Sequence, residues 1–370
     1  MKAIVLVTGG RGGSDFFQGL LDKQEEILQI PAILRINKEF IEIFNSRNNR
    51  EISEKFIRYV PLIFDSKKNK IERHDKLGPK RNKHYKVNKE KFSFYFEKIS
   101  KKKTSKKISI LENLFKAYYL ASNKKISKLK LILLHTHTVD YTRKLFMHES
   151  INECVIVHTM RHPINALSSP ITNWLKFNQG KVFFPKDLYF QKDLAINGLN
   201  DLVNLKKKIY VILLENLIHD KRRVMKDFCR IFNINFSESL TSCTYFGMQW
   251  WGDKVSGRWI GKKIGKQEKK FFDKSHGIFF DSDLFYFKGL TNHIINRYFS
   301  EKNTNSKNNF FYKLTPTKAE FLVWKNTFKH KKINHIISIP YFFIKRIFFL
   351  NSFFVKKFKL PYSIGTKKIK

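Results

Sequence analysis

At 370 residues the chain can bury a full core, most simply as one large domain with appendages, and its three scattered cysteines, Cys154, Cys229 and Cys243, exclude a disulfide framework or a zinc site built on them. A formal charge of +41 admits an anionic partner such as nucleic acid, an acidic polysaccharide or a membrane surface. The excess is mostly lysine and comes with many Phe, Ile and Asn, the residues of A/T-rich codons, so charge alone names no partner.

The first element is a short apolar strand at residues 4–7, running into Gly9-Gly10-Arg11-Gly12-Gly13-Ser14 and then a helix carrying Phe16, Phe17, Leu20 and Leu21. A glycine-rich turn between a strand and a helix start is an anion-binding device, and Ser14 is expected to cap the helix. Two nucleotide motifs fail here. A Walker A loop lacks its lysine, because Gly13 precedes Ser14, and the G-x-G-x-x-G pattern begun at Gly10 and Gly12 meets Asp15 at its third glycine position. A plain strand-to-helix turn is the competing reading.

The apolar run after Lys2 is about five residues long, short of the 7–15 of a signal-peptide core, and a cytoplasmic protein is expected. Residues 40–64 look helical. From Ser66 to Lys107 seventeen Lys/Arg face four Asp/Glu, so residues 65–107 are expected to be a basic insertion, a solvated loop or an arm toward an acidic acceptor. Strand and helix then alternate: strands at 129–134, 154–159 and 209–214, helices at 139–150, from Pro163 onward, at 188–205 and at 217–232. This alternation implies an α/β fold, a parallel sheet flanked by helices in three layers. Ligands in such sheets lie beyond the carboxyl ends of the strands, where the glycine turn, His135-Thr136-His137 and Arg161 all fall.

Residues 301–370 form a basic, aromatic tail, expected to be helical. Within it 333–361 is too interrupted by Pro340, Lys345, Arg346 and Asn351 for a spanning helix; packing on the main domain and peripheral contact with the inner membrane both stay open.

Arg161 at a strand end and Ser169 two helical turns onward can both reach one phosphate group. With Gly10-Arg11-Gly12-Gly13-Ser14-Asp15-Phe16-Phe17 earlier in the chain, the pair resembles the two nucleotide motifs of sulfotransferases that use 3'-phosphoadenosine 5'-phosphosulfate (PAPS). In that family a basic, Ser/Gly-rich loop binds the 5'-phosphosulfate, and an Arg with a Ser eight positions later binds the 3'-phosphate. Leu20-Leu21-Asp22 with Pro31 is similar to the family's LLD segment. Leu213-Leu214-Glu215-Asn216-Leu217 is similar to its YEDL strand end, and Trp251-Gly252-Asp253 with Ser256-Gly257-Arg258 to its late nucleotide-covering loop. The resemblance spans residues 1–300 and departs from the family at Gly12 and Asp15.

The resemblance implies a P-loop NTPase-like sulfotransferase fold, PAPS as donor and no metal. It implies donor contacts from Arg11, Gly12, Gly13, Ser14, Asp15, Arg161, Ser169 and Arg258, with Arg11 also stabilising the leaving phosphate. His137 is the expected general base; His135, on the same side of the strand, and a carboxylate from elsewhere stay open. His158 reads as core. A carboxylate at Asp15 repels a phosphosulfate if it faces one, and stabilises the helix if it faces the helix start. The acceptor is expected to be a small molecule or glycan rather than nucleic acid. A P-loop-like kinase and a non-enzymatic nucleic-acid or membrane-surface protein are the competing classes.

Overall fold

The computed structural model describes residues 1–8, 12–100, 107–147, 154–169, 199, 201–252, 277–299, 317–329 and 361–365. In chain order these include β1 (Lys2–Thr8), α1 (Ser14–Leu20), β2 (Ile27–Leu28), α2 (Lys38–Phe44), α3 (Asn49–Tyr59), α4 (Pro61–Phe64), α5 (Lys89–Ile99), α6 (Lys107–Ala121), β3 (Leu131–His135), α7 (Val139–Met147) and β4 (Cys154–Met160). Helical residues 163–169 (α8), β5 (Lys208–Leu213), α9 (Leu214–His219), α10 (Lys221–Phe232), the pair β6 (Thr244–Tyr245) and β7 (Met248–Gln249), and β8 (Tyr362–Ile364) follow.

Six strands pair in parallel in the order β2, β3, β1, β4, β5, β8, and helices flank the sheet. The α/β expectation holds. Every residue of β4 is buried, as is β1 from Ala3 to Thr8, the pattern of strands covered on both faces. The asparagines left over from composition have structural work here. Asn37, Asn48 and Asn88 accept the backbone N–H of Phe40, Glu51 and Lys91 at 2.9–3.0 Å and so start α2, α3 and α5.

Three expectations change. The helix expected at 217–232 is two helices, because Asp220 leaves helical geometry and its Oδ1 accepts from Arg223 N–H at 3.2 Å, capping a new start. The basic segment is a packed element rather than a solvated loop where it is described. Its α5 buries Phe92 and Phe96, and Phe92 lies 5.7 Å from Phe56 and 5.0 Å from Phe64, ring centre to ring centre. The turns before α5 dock on the β6–β7 hairpin: Trp250 and Trp251 indoles donate to Glu72 O and Gly78 O at 2.6 and 2.7 Å, and Tyr85 stacks on Phe246 at 4.4 Å. Last, the C-terminal region returns to the sheet. β8 pairs with β5, and Tyr298 OH donates to Pro361 O at 2.9 Å. Residues 333–360 and most of 188–205 lie outside the described residues.

His158 lies inside β4 between Val7 and Val211 and is buried, as a core residue. Burial pushes its imidazole down to about 4. A depressed histidine stabilises the fold above its unfolded value of about 6.5 and loses that contribution as pH falls toward the folded value. Relative to His158→Leu, the native chain should therefore lose about 2 kcal/mol between about pH 7.5 and about pH 5, read by urea unfolding at both pH values. A difference independent of pH would contradict a neutral, buried His158.

Candidate functional site at the carboxyl edge of the sheet

The register sets the site. Leu6 lies opposite His135, the last residue of β3, and Thr8 opposite Thr159, so β3 ends two residues short of β1 and the segments leaving β3, β1 and β4 emerge along one edge. Gly12 is pinned against β4: a Cβ there would lie 2.4 Å from Thr159 O and 2.7 Å from Thr8 Oγ1. Its N–H donates to Thr8 Oγ1 at 3.1 Å. Gly12 thus supplies close approach, and its donor is turned inward, contrary to the expectation of a donor to an anion.

Gly13 follows with φ 85°, the left-handed region open to glycine, and is itself the cap residue of α1. Ser14 is buried as the first helical residue and is not the cap that sequence suggested, because the glycine's backbone carries the chain directly into the helix. Phe17 N–H donates to Gly13 O at 2.9 Å to close the first turn.

Asp15 occupies that first turn, where a carboxylate complements the helix dipole. Its Oδ2 lies 3.4 Å from Nε2 of His137, at ion-pair distance, and its backbone O accepts from Tyr245 OH at 2.7 Å. His137 sits just beyond β3 with its side chain 38% exposed. Burial lowers its proton affinity, and the Asp15 carboxylate more than restores it, so the net shift is upward.

His135, the other candidate base, is 1% exposed, donates from Nδ1 to Gln18 Oε1 at 2.9 Å, and is pushed by burial down to about 3. The two imidazoles meet edge to face at 5.1 Å. One ligand atom from each of Asp15, His135 and His137 lies within 4.8 Å of the others, a grouping that can hold a metal ion.

Arg161 follows β4 directly, and Ser169 lies at the end of the described α8, eight positions on. Glu215, on the first turn after β5, joins this edge: its Oε1 accepts from His162 N–H at 2.9 Å. Burial raises the Glu215 carboxyl, and the nearby Arg161 guanidinium opposes the rise. Arg11 and Arg258 lie outside the described residues. Sequence reasoning matched Glu215 to a strand end without giving it this role, and it missed the wall over α1. There Asp22 Oδ2 accepts from Thr244 OH and Gly247 N–H at 3.1 and 2.6 Å, holding the hairpin whose Tyr245 meets Asp15. His74 packs 4.3 Å from the Tyr245 ring. The positive φ of Phe246 and Gly247 marks a tight hairpin turn, a signal readable in Phe-Gly only weakly.

No protein-family model and no curated protein matches the chain. Among solved structures, the sulfotransferase domain from the Synechococcus PCC 7002 olefin synthase is similar at 12% identity and TM-score 0.42, over 81% of this chain and 95% of that one. The sulfotransferase domain from the curacin biosynthetic pathway is similar at 10% identity and TM-score 0.37, over 74% and 92%.

Proposed function

We propose that the chain is a PAPS-dependent sulfotransferase acting on a hydroxyl or amine acceptor, with a carbohydrate as the favoured class. The observation that carries this reading is the carboxyl edge of β3, β1 and β4, where His137, the Gly12–Ser14 turn and Arg161 follow the three adjacent strands. The first segment supplies a base, the second an anion-facing helix start, and the third a cation.

In the reading, the acceptor oxygen attacks sulfur in line, its new S–O bond forms as the bond to the phosphate's bridging oxygen breaks, and PAP leaves. The acceptor proton passes to Nδ1 of His137, while Asp15 accepts from the Nε2 side of the ring and orients it. Gly13 and Ser14 donate to the 5'-phosphosulfate, with Gly12 as the spacer that lets the turn lie flat on β4. Arg11 steadies the leaving phosphate as a fixed charge, since a guanidinium keeps its proton. Arg161 and Ser169 hold the 3'-phosphate, and Arg258 closes over the nucleotide. Asp15 then serves the base and not the donor, which removes the repulsion that its place in the loop suggested.

The working location is the cytoplasm, with 333–361 as a peripheral contact to the inner membrane. Among the described residues no helix is long and apolar enough to cross a membrane.

Thermal unfolding with PAP, ATP and RNA in parallel, at one salt concentration, separates this reading from a kinase and from a nucleic-acid binder. PAP is expected to stabilise the chain most. Arg161→Ala removes charge-assisted hydrogen bonds worth about 1.5–3 kcal/mol, so PAP affinity should fall by about 10- to 100-fold. Stabilisation by ATP and not by PAP would sink the reading.

A further inference from the structure

We infer that Asp15, His135 and His137 form a binding site for one divalent first-row cation of the Zn2+ class. The inference goes beyond the sulfotransferase reading. It concerns the same edge of the sheet.

The tautomer of His135 is set by its neighbour. Gln18 donates its side-chain N–H to Ile30 O at 2.7 Å, which turns its Oε1 toward His135 Nδ1 at 2.9 Å. An amide oxygen only accepts, so Nδ1 carries the proton and Nε2 is left with its lone pair. That Nε2 is buried, in a residue only 1% exposed, and has no hydrogen-bond partner. An acceptor on the far nitrogen is how proteins hold a metal-binding imidazole, and here Gln18 supplies it.

The other two ligands converge on the same point. One carboxylate oxygen of Asp15, one nitrogen of His135 and one of His137 lie within 4.8 Å of one another. Bonds of about 2.0–2.1 Å at a tetrahedral centre place ligand atoms about 3.3 Å apart. Asp15 Oδ2 and His137 Nε2, at 3.4 Å, already span such an edge. The remaining closure falls to His137, which is partly exposed and stands beyond the strand end.

Two imidazoles and one carboxylate suit Zn2+ and its neighbours rather than Ca2+ or Mg2+, which take oxygen ligands. This departs from the metal-free expectation of the sequence. It also has a consequence for the proposed reaction: with a cation on Nε2, the neutral His137 ring keeps its proton on Nδ1, so cation loading should compete with base function.

The test uses full-length protein without a histidine tag, stripped with chelator and equilibrated with Zn2+ or Co2+. One equivalent should remain bound after desalting, and the Co2+ form should show the visible absorption of a four- or five-coordinate centre. Gln18→Met keeps all three ligands but frees the His135 ring, and should weaken Zn2+ by about 10- to 100-fold. Asp15→Asn and His137→Ala, at partly exposed positions, should fold as judged by circular dichroism and weaken it more. Absence of bound metal, or variants that bind as the native chain does, would overturn the site, since the chain has 12 histidines that can bind metal adventitiously. PAP stabilisation measured on the same stripped protein reports separately on the sulfotransferase reading.

Discussion

Replacing His137 by alanine is expected to lower turnover by about 10²- to 10⁴-fold, the usual contribution of a positioned general base. PAP affinity should stay nearly unchanged, because His137 follows β3 and the residues proposed to hold PAP follow β1 and β4. The geometry singles out this histidine over its neighbour two residues earlier. His135 is sealed against Gln18 and resists protonation, whereas His137 is partly exposed and has the Asp15 carboxylate 3.4 Å from Nε2. The check is steady-state release of PAP from PAPS with an acceptor saccharide, alongside calorimetric titration of PAP into both proteins. If His137→Ala keeps the full rate, the base is a carboxylate elsewhere in the pocket.

Phe92→Ala is expected to destabilise the chain by about 3–5 kcal/mol, the loss seen when a fully buried phenylalanine leaves a cavity. Phe92 is wholly buried, and its ring meets Phe56 and Phe64. Urea unfolding monitored by circular dichroism measures the change. A shift within about 0.5 kcal/mol, the range of ordinary surface substitutions, would mean that the basic segment is the solvated loop its composition suggests.

That contrast shows where the sequence was readable. The strands β1, β3, β4 and β5 announce themselves as short apolar runs, and their order with intervening helices is enough for a parallel sheet. The site's location follows from the sheet, since ligands gather at carboxyl edges. The basic segment was misleading because charge is counted over a window while burial depends on spacing. Phe92 and Phe96 are four residues apart and line one face of α5, so lysines elsewhere on the helix do not prevent packing. β8 left almost no signal: it is three residues long and gains its identity only by pairing with β5.

Around the candidate site, side-chain direction was not legible in the sequence. Asp15 in a loop that resembles a donor loop looks like a fault, and only the folded chain brings its carboxylate to 3.4 Å from His137 Nε2. The inward N–H of Gly12 is hidden in the same way, because it depends on the Thr8 hydroxyl four residues earlier and on how closely β4 approaches. Gln18, which sets the tautomer of His135, falls within a helix with no motif to mark it.

The most direct test of the central claim is a crystal structure of the full chain with PAP. The expected density places the 5'-phosphate over the start of α1, at Gly13 and Ser14, and the 3'-phosphate at Arg161 and Ser169, with His137 facing the vacant acceptor side. PAP found away from the β1 and β4 carboxyl ends, or a 3'-phosphate without Arg161, would contradict it.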